Sequence, residues 1–139
     1  MAALTADKLR ETQNTPQTGH GLAGVGIFYV GALLMNISGD IVAAADTAAG
    51  NLLGVCPKYL NNTDDGGIVE FEHGHVERFA FSGTVTAAML GELVFVVDNQ
   101  TVGLAADVTN NVPVGTIERF ETGHVWVAIR RGYTATSAA

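Results

Sequence analysis

Short apolar runs separated by turn residues follow one another along most of this chain. In the last of them, Val125, Val127 and Ile129 alternate with Trp126 and Ala128, the period of two that is typical of a strand covered on at least one face. The predicted strands lie at 25–30, 32–35, 41–45, 53–60, 68–73, 75–81, 92–97, 102–105, 114–120 and 124–130. Turn compositions separate them at 36–40, 61–67, 98–101 and 121–123. Strands at this spacing favour a small β-barrel or β-sandwich over an alternating strand and helix fold.

Helical signals are confined to one place. Residues 86–90 precede Gly91 and could form a single helical turn that ends at a glycine cap. The sequence therefore predicts an all-β fold, a small barrel or sandwich with at most one short helical turn, preceded by an extended N-terminal arm.

The first twenty residues are polar and have no apolar periodicity. Such a segment cannot offset the entropy lost on ordering unless a partner surface covers it. We therefore predict a flexible arm at residues 1–20, a β domain at 21–131 and a flexible tail at 132–139. The arm residues expected to become ordered on a partner are Thr12, Gln13, Asn14, Thr15, Pro16 and Gln17.

Composition and net charge limit the classes of partner that we expect for this chain. The 139 residues are 47% hydrophobic and 15% charged, as in a folded globular domain, and the net charge is −7. An excess of carboxylates disfavours nucleic acid as a partner, because phosphate binding depends on Lys and Arg. Charged residues from Asp7 to Glu11 stand where a secretory h-region would begin, so we expect synthesis in the cytoplasm. The longest apolar run, 22–37, is too short and too rich in glycine to insert in a membrane.

Few residues suggest chemistry. Cys56 is the only cysteine and lies in an apolar run, where we expect a buried structural thiol. His73 and His75 lie among glutamates and could converge as metal ligands if Gly74 did not bend the strand. The interpretation we favour is a solvated strand of mixed charge. Nucleophile, phosphate-binding and zinc-protease motifs are missing from the sequence, so we expect neither enzymatic activity nor a cofactor.

The chain resembles the small capsid decoration, or cement, proteins of phages and prophages in the order of several short sequence motifs. These are Asn14-Thr15-Pro16, Val30-Gly31-Ala32-Leu33-Leu34 with Gly39-Asp40, Gly50-Asn51-Leu52-Leu53-Gly54-Val55, Ile68-Val69-Glu70-Phe71, the run from Gly91 to Val102, Pro113-Val114-Gly115-Thr116-Ile117, and Gly123-His124-Val125-Trp126-Val127. The resemblance covers nearly all of residues 14–131.

The resemblance implies a virion structural protein that binds the outer surface of a phage capsid and stabilises the assembled head. It implies the major capsid protein as partner, a homo-oligomer (usually a trimer), and capsid binding by the arm residues Thr12–Gln17. Two alternatives stay open: a small metal-binding or enzymatic β-barrel that uses His73 and His75, and another virion component such as a tail or fibre protein.

Overall fold

A computed structural model of the chain describes residues 3–10, 12–13, 17–48 and 50–129. The strands in these ranges are β1 Thr12–Gln13, β2 Gln17–Leu22, β3 Gly26–Phe28, β4 Leu33–Ile37, β5 Asp40–Ala43, β6 Asn51–Val55, β7 Leu60–Asn62, β8 Ile68–His73, β9 Val76–Phe81, β10 Leu93–Val96, β11 Thr101–Gly103, β12 Pro113–Glu121 and β13 His124–Ile129. Two 3₁₀ turns lie at Ala87–Met89 and Ala105–Asp107.

The predicted all-β fold is confirmed. The predicted helical turn is the 3₁₀ turn Ala87–Met89, and Gly91 follows it with φ +84°. Within the described ranges, no helix has the length and apolar character needed to cross a membrane.

Five strands close into a barrel. Neighbouring strands follow the order β9-β11-β10-β12-β13, and β13 pairs again with β9. The β9–β11 pair is parallel, whereas the other barrel pairs are antiparallel. The ladder of β12 and β13 approaches closely at Gly115, where a Cβ would overlap the carbonyl of Ala128. The side chains that alternate inward fill the interior, and the largest fully buried one is Phe79.

A second sheet packs beside the barrel, in the order β2-β8-β6-β4-β5. It curls on itself, because Ala23, directly after β2, forms a bridge with Ile41 of β5. The ribbon of β3 and β7 adjoins it. This half has its own core, made of Ala23, Phe28, Ala32, Leu34, Ile41, Cys56, Val69 and Phe71.

Strand β4 lies between the two cores. Leu33 and Met35 belong to the barrel core, whereas Leu34, on the opposite face, belongs to the second core. All three side chains are fully buried, as expected for a strand covered on both faces. One strand therefore serves as a wall shared by both halves of the molecule.

The structure moves the predicted boundary between arm and domain. We expected the β domain to begin at residue 21, but β2 begins at Gln17 and pairs with β8 along its whole length. Glycines on the inner face make this pairing compact, because Gly19 leaves the space that the ring of Phe71 occupies. The predicted tail, 132–139, lies outside the described residues.

Candidate functional site

Residues 3–10 lie against the body of the protein. The amide N–H of Leu4 donates to Asn99 Oδ1 (2.8 Å), and the N–H of Lys8 donates to the carbonyl of Val30 (3.1 Å). The N–H of Val30 donates in turn to Asp7 Oδ1 at 2.8 Å. Each of these hydrogen bonds is donated by a backbone N–H, and two of them are accepted by side-chain oxygens. Leu4 also packs against the second core, so the segment is held on the surface by both kinds of contact.

Side chains from Lys8 to Arg10 alternate between the barrel and solvent. The stem of Lys8 lies over Gly31, and its Nζ lies 4.9 Å from the centroid of the Phe79 ring, a cation–π contact. Leu9 points the other way and is 89% exposed. Arg10 turns back toward β9. Gly31, with φ +90°, is the position that lets the lysine stem approach so closely.

Arg10 ends in a cluster of carboxylates. Its Nη2 donates to Glu72 Oε1 (2.8 Å) and to Glu77 Oε1 (2.9 Å), and its Nε donates to Glu77 Oε2 (3.3 Å). The Glu77 side chain is completely buried, and that of Arg10 is 17% exposed. Burial by itself lowers the pKa of Arg10, but the hydrogen bonds and charges of Glu77 and Glu72 outweigh it, so the pKa is raised.

His75 completes the cluster. Its Nε2 lies 2.6 Å from Glu77 Oε1, and both side chains are fully buried. The carboxylate beside Arg10 can only accept hydrogen bonds, so Nε2 is the donor, an assignment that rests on the hydrogen-bond network. His75 Nδ1 is buried without a hydrogen-bond partner.

Strand β1 occupies part of the edge of β9. The backbone of β1 pairs with β9 at Glu77 and Val76, and the parallel strand β11 pairs with β9 further along, at Ala80 and Phe81. The opposite edge of β9 is covered by β13. The N-terminal segment therefore completes the barrel wall, and its Arg10 neutralises the carboxylate buried beneath.

The interpretation of His73 and His75 as part of a solvated strand of mixed charge is wrong. His73 is 6% exposed and His75 is 1% exposed. The chain turns between them at Gly74 (φ +78°), so that β8 ends at His73 and the two rings do not share a strand face. Within the part of the chain that the structure describes, no three His, Cys, Asp or Glu side chains form a metal site.

The arm residues fall into two groups. Thr12 and Gln13 form β1, and Gln17 begins β2 opposite His73, so these three have backbone partners within the protein. Asn14, Thr15 and Pro16 lie outside the described residues. Capsid binding by this segment stays a prediction.

Cys56 is buried, as predicted. It is 0% exposed, and its Sγ donates to the carbonyl oxygen of Lys58 at 3.0 Å. Burial raises the pKa of the thiol above its ordinary value, against the smaller opposing effect of that hydrogen bond.

A shallow groove lies on the outside of the barrel, between residues 83–85 and 120–123. Its charged residue is Glu121, whose carboxylate accepts hydrogen bonds from Arg78 Nε and Trp126 Nε1. These bonds lower the pKa of Glu121. Nearby, the guanidinium of Arg119 stacks 4.2 Å from the centroid of Trp126. The carboxylate of Glu121, the charged group of the groove, is thus already engaged by side chains outside the groove lining.

Five exposed apolar side chains lie in the second half of the molecule. We call Leu22, Val25, Ile27, Tyr59 and Ile68 the apolar patch; they are 61%, 67%, 38%, 49% and 60% exposed. Leu22 and Ile68 are partners across β2 and β8. Tyr59 and Ile68 line one groove, together with Leu60.

A buried asparagine fixes the backbone under this patch. Asn62 Nδ2 donates to the carbonyls of Ala23 (3.1 Å) and Gly24 (2.8 Å), and its Oδ1 accepts from the N–H of Gly67 (2.8 Å). The segment that carries Leu22 and Val25 is thereby tied to the loop that leads to Ile68. The patch is thus a rigid surface, held from below by a side chain that is 4% exposed.

Arg10 and Glu77 are the residues that the sequence interpretation missed. Glu77 could have been found, because alternation from the inward Phe79 and Phe81 places it on the buried face. No sequence signal reveals its partner Arg10, which lies 67 residues away. No protein-family model and no curated protein matches the chain.

Proposed function

We propose that this protein is a virion structural protein that binds the outer surface of an assembled phage capsid and stabilises the head. The observation that carries the proposal is the position, on the strands of the barrel, of the sequence motifs that resemble those of decoration proteins. The run from Gly91 to Val102 spans β10 and the start of β11, and the motifs at 113–117 and 123–127 fall on β12 and β13. The resemblance is therefore one of strands and turns that build a barrel.

Stabilisation of the head follows from linkage. A ligand that binds only the closed lattice favours it by RT ln(1 + [L]/Kd), which is about 2.7 kcal/mol per site at a concentration of 100 Kd. The barrel needs no chemistry of its own for this role. The partner is the major capsid protein, and the location is the outside of the particle, where an acidic surface is not opposed by packaged nucleic acid.

The test is co-sedimentation of the purified protein with undecorated heads, followed by thermal disruption of the particles. We expect saturable binding and a higher disruption temperature for decorated heads. Absence of binding, or binding without a shift, contradicts the proposal. Antibody-labelled electron microscopy of complete virions separates a head protein from a tail or fibre component.

We propose a trimer as the bound form, on the resemblance alone. Light scattering of the free protein and a cryo-EM map of decorated heads test this separately. A monomer at every head position in the map would contradict it.

The contribution of Thr12–Gln17 to binding requires substitutions and not a deletion. Deleting the chain up to residue 17 would also remove Arg10 and leave the buried carboxylate of Glu77 without its cation. Replacing Asn14 and Thr15 with alanine leaves Arg10 in place. If the segment binds the capsid, this variant co-sediments less well and unfolds at the same urea concentration as the wild type.

A further inference from the structure

We infer that the apolar patch is the surface that docks on the capsid subunit, and that the docked capsid surface has an apolar centre with a Lys- or Arg-rich rim. The inference rests on the proposed function and adds to it the face that binds and the chemistry of the partner. Exposed apolar surface of this extent on a folded domain often marks an interaction site, and Leu22, Ile68 and Tyr59 are neighbours within it. Five of the eight large hydrophobic residues exposed in the described ranges belong to this patch.

Rigidity supports a docking role. The hydrogen bonds of Asn62 to Ala23, Gly24 and Gly67 hold the two segments that present the patch. A surface whose backbone is already fixed loses little entropy on binding, so more of the contact energy contributes to affinity. Tyr59 is further held by an edge contact with Tyr29, at 6.1 Å between ring centroids.

The charges around the patch determine what fits. Asp40 lies beside Gly24. Asp64 and Asp65 are exposed on the loop that Asn62 ties to the backbone of Gly24. Glu70 lies two residues beyond Ile68 on the same face of β8, and Lys58 Nζ is 3.9 Å from its Oε1. The rim thus carries four carboxylates and one ammonium. A second copy meeting this face with the same patch would bring like charges together, whereas a basic rim would complement it.

The experiment compares two double variants with the same chemistry at different places. Leu22→Thr with Ile68→Thr removes the centre of the patch, and Leu9→Thr with Leu90→Thr removes exposed leucines elsewhere. Binding to undecorated heads is measured by co-sedimentation, and folding by the urea midpoint. We expect the patch variant to lose at least about tenfold in affinity, as central apolar contacts do, and the control less than about twofold.

The outcomes separate this inference from the proposed function. If the wild type does not bind heads, the proposed function fails and the docking face fails with it. If the wild type binds and both variants bind equally well, only the docking face is overturned. If the patch variant instead loses self-association in light scattering while keeping its affinity for heads, the occupant is a second copy and the inference is wrong.

The basic rim is tested by neutralising acids. Asp65 has φ +62°, a conformation that asparagine tolerates, so Asp64→Asn with Asp65→Asn preserves the loop. We expect this double variant to bind undecorated heads several-fold more weakly at low salt, and its affinity to depend less steeply on the salt concentration. Asp107→Asn with Glu118→Gln makes the same charge change on exposed residues elsewhere and should bind as the wild type does. Unchanged or tighter binding by the Asp64 and Asp65 variant overturns the basic rim.

Discussion

At the scale of single residues, the thiol of Cys56 offers a direct test of burial. Its pKa is raised by burial, so little thiolate forms at neutral pH and no reagent reaches it in the folded protein. We expect labelling by an aromatic disulfide reagent at pH 8 to be more than about tenfold slower in native protein than in urea-unfolded protein. Equal rates in the two states would show that the segment opens readily.

Asp46 connects the two halves of the molecule through one carboxylate. It accepts hydrogen bonds from the N–H groups of Thr109 (2.8 Å) and Asn110 (2.9 Å), and from Asn110 Nδ2 (3.1 Å). Burial by itself raises the pKa of Asp46, but these bonds outweigh it, so the pKa lies below its ordinary value. The stabilisation is therefore complete above the ordinary pKa of 3.8 and is lost as the pH falls through the lower value of the folded state.

We expect Asp46→Ala to lower the free energy of unfolding by about 1 kcal/mol at pH 7, because partly exposed hydrogen bonds to a charged group have modest net value. The difference from the wild type should shrink at pH 3. Urea unfolding of both proteins at the two pH values measures it. Asp107→Ala, at an exposed carboxylate, is the matched control, and a difference that grows at pH 3 would contradict the sign.

At the scale of elements, the N-terminal segment is fixed by Arg10. Replacing Arg10 with methionine leaves the buried Glu77 carboxylate without its cation, which typically costs about 3–5 kcal/mol. Adding Glu77→Gln removes the charge and keeps an acceptor for His75, so the double variant should recover most of the loss. The measurement is urea unfolding of the two single variants, the double variant and the wild type.

Lys58→Met serves as the control for that cycle, because its ion pair with Glu70 is long (3.9 Å) and exposed. Its effect should stay below about 0.5 kcal/mol. If the double variant is as unstable as Arg10→Met alone, the lost stability comes from the methionine and not from an unpaired charge.

The positions of the strands could be predicted from the sequence more accurately than their pairing in the sheets. Strand β8 begins and ends where predicted, at Ile68 and His73, because glycines bound it on both sides. The predicted strand 53–60 is instead two strands, β6 and β7, since the chain leaves the ladder around Pro57. Pairing of β1 with β9 depends on tertiary contacts far apart in the chain, which local patterns do not encode.

At the scale of the whole molecule, we expect the two halves to unfold together, because β4 is part of both cores. Leu34 belongs to the second core and Trp126 lies on the barrel, yet the shared wall joins them. We expect Leu34→Ala to lower the free energy of unfolding by about 2–5 kcal/mol and to shift the Trp126 fluorescence transition by the same amount as the circular dichroism transition. A fluorescence midpoint that stays at the wild-type value would show that the barrel unfolds independently.

The position of the Arg10 contact also has a consequence for synthesis. Arg10 leaves the ribosome 67 residues before Glu77, a delay of about 3–13 s at ordinary translation rates. During that time the segment has no strand to pair with, and an apolar sequence would be exposed to nascent-chain aggregation. A polar composition disfavours that aggregation, so a segment whose sequence suggests a free arm equally suits a strand that is synthesised before β9 and pairs with it late.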